Sequence, residues 1–255
     1  MRVIQNYLQT QTSYRTVSDS MYDKIGEWLT WYQNAGGPVV SEGAAESMLK
    51  YRRLGLAKKV CEDWADLLMN EGISVTAGSF DSRLNQILEE SHFTVRAKRM
   101  LETSFALGTG AFTEYRDPDG NIRLDCIRGD MICPITWNGG EITECAFGSV
   151  RTVNGNDYIY LQIHRKGMPG SGENSSLYYI ENKYLDAVTG ETAELPTGMQ
   201  EVVPTGCNMP MFQIITPNIV NTQEPDSPMG SSVYADAIDL IEGCDLIYDS
   251  YMNEY

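Results

Sequence analysis

The sequence predicts an α+β fold in which N-terminal helices pack on an antiparallel β-meander and a long amphipathic helix ends the chain. Three observations predict it. Apolar residues recur at helical spacing over 1–110, they alternate with polar residues over 111–215, and helical spacing returns within 216–255. These boundaries divide the chain into a helical part, a strand part, and a loop that leads into a final helix.

The first amphipathic segment lies at 21–32 and ends before the Gly-Gly-Pro breaker at 36–38. Its apolar positions at helical spacing are Ile25, Trp28, Leu29 and Tyr32. Tryptophans and tyrosines this close together could stack on nucleic-acid bases. Since no Arg or Lys is interleaved with the aromatic residues at its C-terminal end, their composition favours packing inside the protein.

A longer helix is predicted over 46–70, closed by Gly72. Its expected core stripe consists of Leu49, Arg53, Leu56, Val60, Trp64, Leu67 and Leu68. A short strand is expected at 73–76, and Ser79 or Asp81 is expected to cap a helix that holds Leu84, Ile87 and Leu88.

The next helix is predicted over 93–107, and it ends at the sequence Gly108-Thr109-Gly110. These glycines could suggest a phosphate-binding loop. Such loops follow a strand and precede a helix, whereas here the glycines follow a helix and precede a strand. The order favours a helix C-cap.

Alternation with a period of two predicts strands at 112–115, 122–127, 132–137, 142–150, 158–164 and 177–185. Hairpin turns are predicted at 117–121, 138–140 and 154–156, and a loop at 168–172. The spaced acidic residues of 117–121 resemble a calcium loop only faintly, because Arg128 stands where the closing glutamate belongs.

The last part of the chain begins with an irregular stretch, 216–230, rich in Pro, Asn and Asp. Ser231 or Ser232 is expected to cap the final helix. Its predicted stripe contains Tyr234, Ile238, Ile241, Asp245, Tyr248 and Met252. No glycine, proline or polar tail stops this helix, which predicts that the natural chain continues beyond Tyr255.

The chain carries 19 basic and 35 acidic residues, a formal net charge of -16, which argues against ordinary sequence-specific nucleic-acid binding. An acidic wall could nevertheless let a DNA polyanion slide past without sticking. The sequence has no apolar run of ~18 residues and no signal peptide, so we expect no membrane partner and a cytosolic site of synthesis.

The residue types that carry chemistry do not form motifs. The cysteines lack the spacing of a zinc site and are expected to be reduced and buried as small hydrophobic residues; they are Cys61, Cys126, Cys133, Cys145, Cys207 and Cys244.

His92 and His164 have no flanking catalytic motif, and His164 is expected on a polar or rim face. Carboxylates such as Glu89, Glu90, Asp236 and Asp239 are too abundant to single out, and the acidic final helix is expected to face solvent or a channel. The sequence therefore predicts no catalytic, cofactor-binding or metal-binding residue, no cofactor, and no enzyme activity.

Several segments, taken in order, resemble the portal proteins of tailed bacteriophages and prophages, specifically the SPP1-like family. The resemblance spans nearly the whole chain. It is carried by 28–32, by 64–72 (Trp-Ala-Asp-Leu-Leu-Met-Asn-Glu-Gly), by 106–111, by 178–182, and most specifically by 225–239 continuing to 245–250.

The resemblance implies that these residues form most of the wing of a portal subunit, and that the stem, clip and crown lie outside them. It implies a ring of about a dozen copies at one capsid vertex, assembled in the bacterial host cytoplasm and retained in the virion. Terminase, scaffolding or capsid proteins and head-completion proteins are the implied partners. Double-stranded DNA would pass through the channel without sequence-specific binding.

Two other functions are compatible with the residues. One is an intracellular protein-binding module without catalysis, in which a helical arm lies on an antiparallel sheet. The other is a hydrolase or transferase, which would require several carboxylates to converge in a deep cleft.

Overall fold

A computed structural model describes residues 2–10, 15–34, 52–70, 72, 74–116, 121–153, 155–167 and 176–254. The α+β class is confirmed. The α-helices are α1 (Arg2–Thr10), α2 (Asp19–Tyr32), α3 (Leu56–Met69), α4 (Asp81–Glu90), α5 (Phe93–Leu107) and, near the end of the chain, α6 (Ile238–Glu254).

The strands form two antiparallel sheets. They are β1 (Gly110–Arg116), β2 (Ile122–Arg128), β3 (Ile132–Asn138), β4 (Glu141–Val153), β5 (Asn156–Lys166), β6 (Tyr178–Asp186), β7 (Thr192–Ala193), β8 (Val202–Pro204) and β9 (Phe212–Ile215). The small sheet has the order β2-β1-β9, and the large sheet has the order β3-β4-β5-β6-β7 with β8 also paired to β6.

The predicted antiparallel meander is formed by β3-β4-β5-β6-β7, but β1 and β2 belong to the other sheet. A 3-10 turn at Gly129–Met131 separates β2 from β3, and β9 returns from far along the chain to pair with β1. The positions of the predicted strands agree with those observed, because alternation reports local strand structure. The partner of an edge strand depends on contacts between distant residues, which alternation does not report.

Tight turns set the register of the large sheet as predicted. Asn138 pairs with Glu141 across Gly139 and Gly140, which both have positive φ, so the turn suits glycine. Val153 pairs with Asn156 at the next hairpin. The turn at 117–120 and the loop at 168–172 lie outside the described residues, although β1 and β2 pair antiparallel on either side of the former.

Two N-terminal helices cover one face of the large sheet. Helix α1 is absent from the elements predicted above. Its fully buried Ile4 lies so close to Gly148 of β4 that a Cβ on Gly148 would collide with it. In α2, Ser18 accepts a hydrogen bond from the Met21 N–H at 3.2 Å, and Trp28 is buried. The aromatic residues of α2 therefore pack in the protein, as predicted.

Helix α3 buries a different face from the predicted one. Its buried residues are Ala57, Cys61, Ala65 and Met69. Of the predicted stripe, Trp64 is 53% exposed, Leu67 is 74% exposed and Leu68 is 56% exposed. Small side chains let α3 approach α5 closely, and this close packing leaves the larger side chains outside. The part of the predicted helix before residue 52 lies outside the described residues.

Helix α5 has the predicted bounds, and Gly108 ends it in the left-handed conformation (φ 75°), which confirms the C-cap. The strand expected at 73–76 is not formed at 74–76, where residues 74–77 have no regular structure, and residue 73 lies outside the described residues. Neither Ser79 nor Asp81 is the N-cap of α4; Phe80 occupies that position and makes no side-chain capping hydrogen bond. Asp81 instead accepts a hydrogen bond from the Ala77 N–H and closes the 3-10 turn Gly78–Phe80 that precedes α4.

Helix α6 begins at Ile238, later than predicted, after a 3-10 turn at Ala235–Ala237. The reason lies in two contacts of the preceding residues. The Val233 N–H donates to the Phe105 carbonyl at 3.0 Å, and the Tyr234 hydroxyl donates to the Trp28 carbonyl at 2.6 Å. These bonds to other helices hold the backbone of 233–234 out of the α-helical path.

Candidate functional site

The residue types most often used in catalysis lie in the packed core or apart from one another. His164 is buried between Phe147 and Phe212, with ring centroids 5.3 and 5.4 Å away, so the expected polar or rim position is wrong. Burial lowers the pKa of His164 from 6.5 to about 4. Among the described residues, its Nε2 has no hydrogen-bond partner. This imidazole is therefore held neutral at the contact between the two sheets.

The cysteines differ in their exposure. Cys61, Cys133 and Cys145 are buried as predicted, and Cys126 is half-buried. Cys207 and Cys244 are exposed, so the expected burial is wrong for those two. Burial raises the pKa of Cys61 and of Cys133 to about 12, which disfavours the reactive thiolate. In the described part of the chain, His, Cys, Asp and Glu side chains do not gather in groups of three or more that could hold a metal ion.

Two of the four carboxylates named from the sequence, Glu90 and Asp236, have structural partners. Glu90 pairs with Arg123 at 3.1 Å, and Asp236 accepts a hydrogen bond from the Thr222 hydroxyl at 3.1 Å. Neither acid faces a second carboxylate in these contacts. Both hold neighbouring segments of the chain together.

The irregular segment 228–234 is almost wholly buried, and it crosses the C-terminal end of α5. The Gly230 N–H donates to the Thr109 hydroxyl at 3.0 Å, and both residues are buried. Asn221 is also buried, and its side-chain amide donates to the Met229 carbonyl at 3.0 Å. This segment, which we name the anchor, fixes the position at which α6 leaves the protein body. It belongs to the stretch that carries the most specific part of the family resemblance.

Helix α6 has two different faces. The inner face buries Ile241 and Asp245. The outer face carries apolar or weakly polar side chains at helical spacing, namely Leu240, Cys244, Ile247 and Tyr251, all of them exposed. Leu240 is 74% and Ile247 is 73% exposed. We name this set the outer stripe. Side chains of this kind, aligned along a helix, form a surface suited to another protein.

Two carboxylates of α6 bind the segment before α3. Asp245 accepts a hydrogen bond from the Leu54 N–H at 2.8 Å, and Asp249 accepts one from the Arg52 N–H at 2.9 Å. Asp245 is only 1% exposed. The expectation that the acidic residues of the last helix all face solvent or a channel is therefore wrong for Asp245. This carboxylate has a structural role.

A groove between α5 and β2 is lined by arginines. Its volume is about 260 Å³, and its lining includes Arg96, Arg99 and Arg128 together with Met100 and Ile127. Arg96 pairs with Asp125 at 2.5 Å, and Arg128 pairs with Asp130 at 2.6 Å. We name this feature the arginine groove. It combines an apolar floor with cationic side chains, so it suits an apolar group that lies beside a negative charge.

A second cavity of about 470 Å³ lies beside the N-terminus of α2. Arg15 lies over the Trp137 ring at 4.0 Å from its centroid. At the same cavity, the Ser18 hydroxyl donates to both carboxylate oxygens of Glu224, at 2.5 and 2.6 Å. These contacts tie 216–230 to α2, and they pair Ser18 with Glu224 at this wall.

None of the helices in the described residues combines the length and apolar character needed to cross a membrane. No protein-family model matches the chain, and no curated protein matches it either. The family resemblance therefore rests on the sequence segments alone.

Proposed function

We propose that this chain is a structural subunit of a bacteriophage portal ring, and that its residues form most of the wing. The observation that carries the proposal is the arrangement of α6. A buried anchor fixes the start of this 17-residue helix, while its outer stripe is left exposed. A helix held rigidly at one end and apolar on its outer face is suited to assembly with other subunits.

The anchor also supports the proposal through its position in the sequence. It lies within 225–239, the segment that most resembles the part of portal proteins preceding the stem. In such a subunit, α6 would lead from the wing toward the stem. The anchor would then transmit force between these two regions, since it is hydrogen-bonded to both α2 and α5.

The proposed partners follow from this role. Copies of the same chain would form a ring of about a dozen subunits at one capsid vertex. Terminase, scaffolding or capsid proteins and head-completion proteins would bind to that ring. The ring would assemble in the bacterial cytoplasm and remain in the virion. Its task would be mechanical, without catalysis or a cofactor.

The net charge of -16 is compatible with a DNA channel. Tight basic contacts would slow a duplex that has to move, because each phosphate contact contributes to affinity. An acidic subunit repels the duplex from its surface and favours sliding.

Negative-stain electron microscopy of the protein as its gene encodes it, with any residues that precede Met1 or follow Tyr255, tests the proposal. Rings with a central hole are expected. Monomers or dimers at every concentration and salt condition would contradict the portal function. They would favour the alternative of an intracellular protein-binding module without catalysis, for which the outer stripe would be the binding surface.

A further inference from the structure

The outer stripe of α6 lies on the most uniformly acidic helix of the described residues. Of the six α-helices in these residues, α6 alone has no Lys or Arg, and it contains Asp239, Glu242, Asp245, Asp249 and Glu254. Asp239 and Glu254 are exposed. At 100° per residue, both lie within about 100° of Leu240 and Ile247 on the helix surface. The outer face therefore presents apolar side chains beside negative charge.

The arginine groove has the complementary character. Its floor includes Met100 and Ile127, and its guanidinium groups belong to Arg96, Arg99 and Arg128. Arg96 and Arg128 each have a carboxylate partner, but in the described part of the chain Arg99 forms neither an ion pair nor a side-chain hydrogen bond. In a chain of net charge -16, such a site is a favourable place for an acidic helix to bind.

The groove and α6 do not meet within one chain, since α5 and β2 line the groove and α6 contributes none of its lining residues. We propose that the outer stripe of α6 in one copy docks in the arginine groove of the next copy. This inference rests on the proposed ring and names the surfaces that form it.

Such a contact is head-to-tail, because the two copies use different surfaces. A pair of copies then keeps one free α6 and one free groove, so further copies can add until the ring closes. The arrangement gives Arg99 an anionic partner and covers Leu240 and Ile247. An arginine at the centre of an interface is a common hot spot, so changes there should affect the dissociation constant strongly.

Two variants of the protein test the proposal. Arg99→Glu places a negative charge in the groove, and Ile247→Arg places a positive charge on the outer stripe. Each should raise the self-association Kd at least ~10-fold, measured by sedimentation velocity. The matched controls are Arg83→Glu, an exposed arginine on α4 outside the groove, and Val188→Arg, an exposed valine remote from α6 in sequence. Both controls should associate as the unchanged protein does.

Mixing the two variants gives the sharpest result. The Arg99→Glu copy keeps an intact α6, and the Ile247→Arg copy keeps an intact groove, so the mixture should form a one-to-one dimer that neither variant forms alone. Circular dichroism of each variant checks that it is folded, and both spectra should match that of the unchanged protein. If Arg99→Glu associates like Arg83→Glu, the groove instead receives another partner or a segment of its own chain, and the proposal is overturned.

The outcomes separate this inference from the proposed function. Rings that persist in both variants would leave the portal function in place and eliminate the α6-to-groove contact. Open filaments that disappear in both variants would support the contact and contradict a closed portal ring. An unchanged protein that stays monomeric would contradict both.

Discussion

Gly108 and Gly230 cross with their backbones in contact, although they are far apart in sequence. A Cβ on Gly108 would lie within 3.0 Å of the carbonyl atoms of Gly230, and a Cβ on Gly230 would lie as close to the carbonyl oxygen of Gly108. Real Cβ atoms essentially never approach this closely. The end of α5 and the anchor of α6 can therefore meet only because neither residue has a side chain.

We expect Gly108→Ala to destabilise the protein by about 2–4 kcal/mol. The methyl group would force the two backbones apart, and the positive φ of Gly108 adds strain for any L residue. Urea denaturation followed by circular dichroism measures the loss. Gly230→Ala, whose backbone is not in the left-handed region, should cost a similar amount from the collision alone.

Gly206 is the matched control, because its φ of +71 resembles the +75 of Gly108. A Cβ added at Gly206 would meet no atom of the described residues within 4 Å. Gly206→Ala should cost only about 1 kcal/mol, from conformational strain. Equal losses for Gly108→Ala and Gly206→Ala would contradict the close crossing.

The inverted packing of α3 leads to a second prediction. Ala65→Leu should destabilise the protein by about 1–3 kcal/mol, because Ala65 is fully buried on the helix face that meets α5. Leu67→Ser should change the free energy of unfolding by less than about 0.5 kcal/mol, since Leu67 is largely exposed. Chemical denaturation compares the two. If Leu67→Ser lowered the free energy of unfolding more than Ala65→Leu does, the buried face of α3 would be the one predicted from the sequence.

His164 should make stability depend on pH between its two pKa values. Above pH 6.5 the imidazole is neutral in both the folded and unfolded states. As the pH falls from 6.5 toward the folded pKa of about 4, the unfolded state binds a proton that the folded state excludes. Stability should therefore decrease over this window, by about 3 kcal/mol from this group, and the contribution should stop changing below it.

The measurement is the difference in unfolding free energy between the unchanged protein and His164→Leu at pH 7.5 and at pH 4. The difference should shift by about 3 kcal/mol in favour of the variant at the lower pH. Ile163→Val, a neighbouring buried change that removes no titrating group, should give a difference independent of pH. If the difference for His164→Leu did not change with pH, the imidazole would bind a proton equally well in the folded and unfolded states, which would contradict the lowered pKa.

Asp245 should support the segment before α3 through its carboxylate. Asp245→Ala leaves the Leu54 N–H without its acceptor and should cost about 1–3 kcal/mol. Asp239→Ala, at an exposed position of the same helix, should be within about 0.5 kcal/mol of neutral. Hydrogen exchange at the Leu54 amide provides a direct readout, and it should accelerate only in Asp245→Ala. Unchanged exchange there would mean that Asp245 does not hold this segment.

Much of the local structure could be predicted from residue patterns. Gly108 identified the end of α5, and Asn138-Gly139-Gly140 identified a hairpin, because each depends on backbone preferences of adjacent residues. The patterns failed for α3, where both helix faces are apolar. Periodicity indicates that a helix has an apolar face, but it does not indicate which of two such faces meets the core.

The candidate surfaces were less predictable than the fold. The acidic character of α6 is visible in the sequence. The exposure of Leu240 and Ile247 is not, because it depends on the anchor, which fixes where α6 leaves the protein body. The arginine groove joins residues of α5 and β2 that are well separated along the chain. Sequence spacing gives no signal for such a combination.

By itself, the sequence determined the α+β class, the positions of most strands, the bounds of α5 and the acidic balance of the chain, since each follows from neighbouring residues or from composition. Only the tertiary structure decided that the strands form two sheets, that His164 lies between them, and that Gly230 passes against Gly108. These features depend on contacts between residues far apart in the chain. Their energies come from shape and burial, which exist only once the distant segments have packed together.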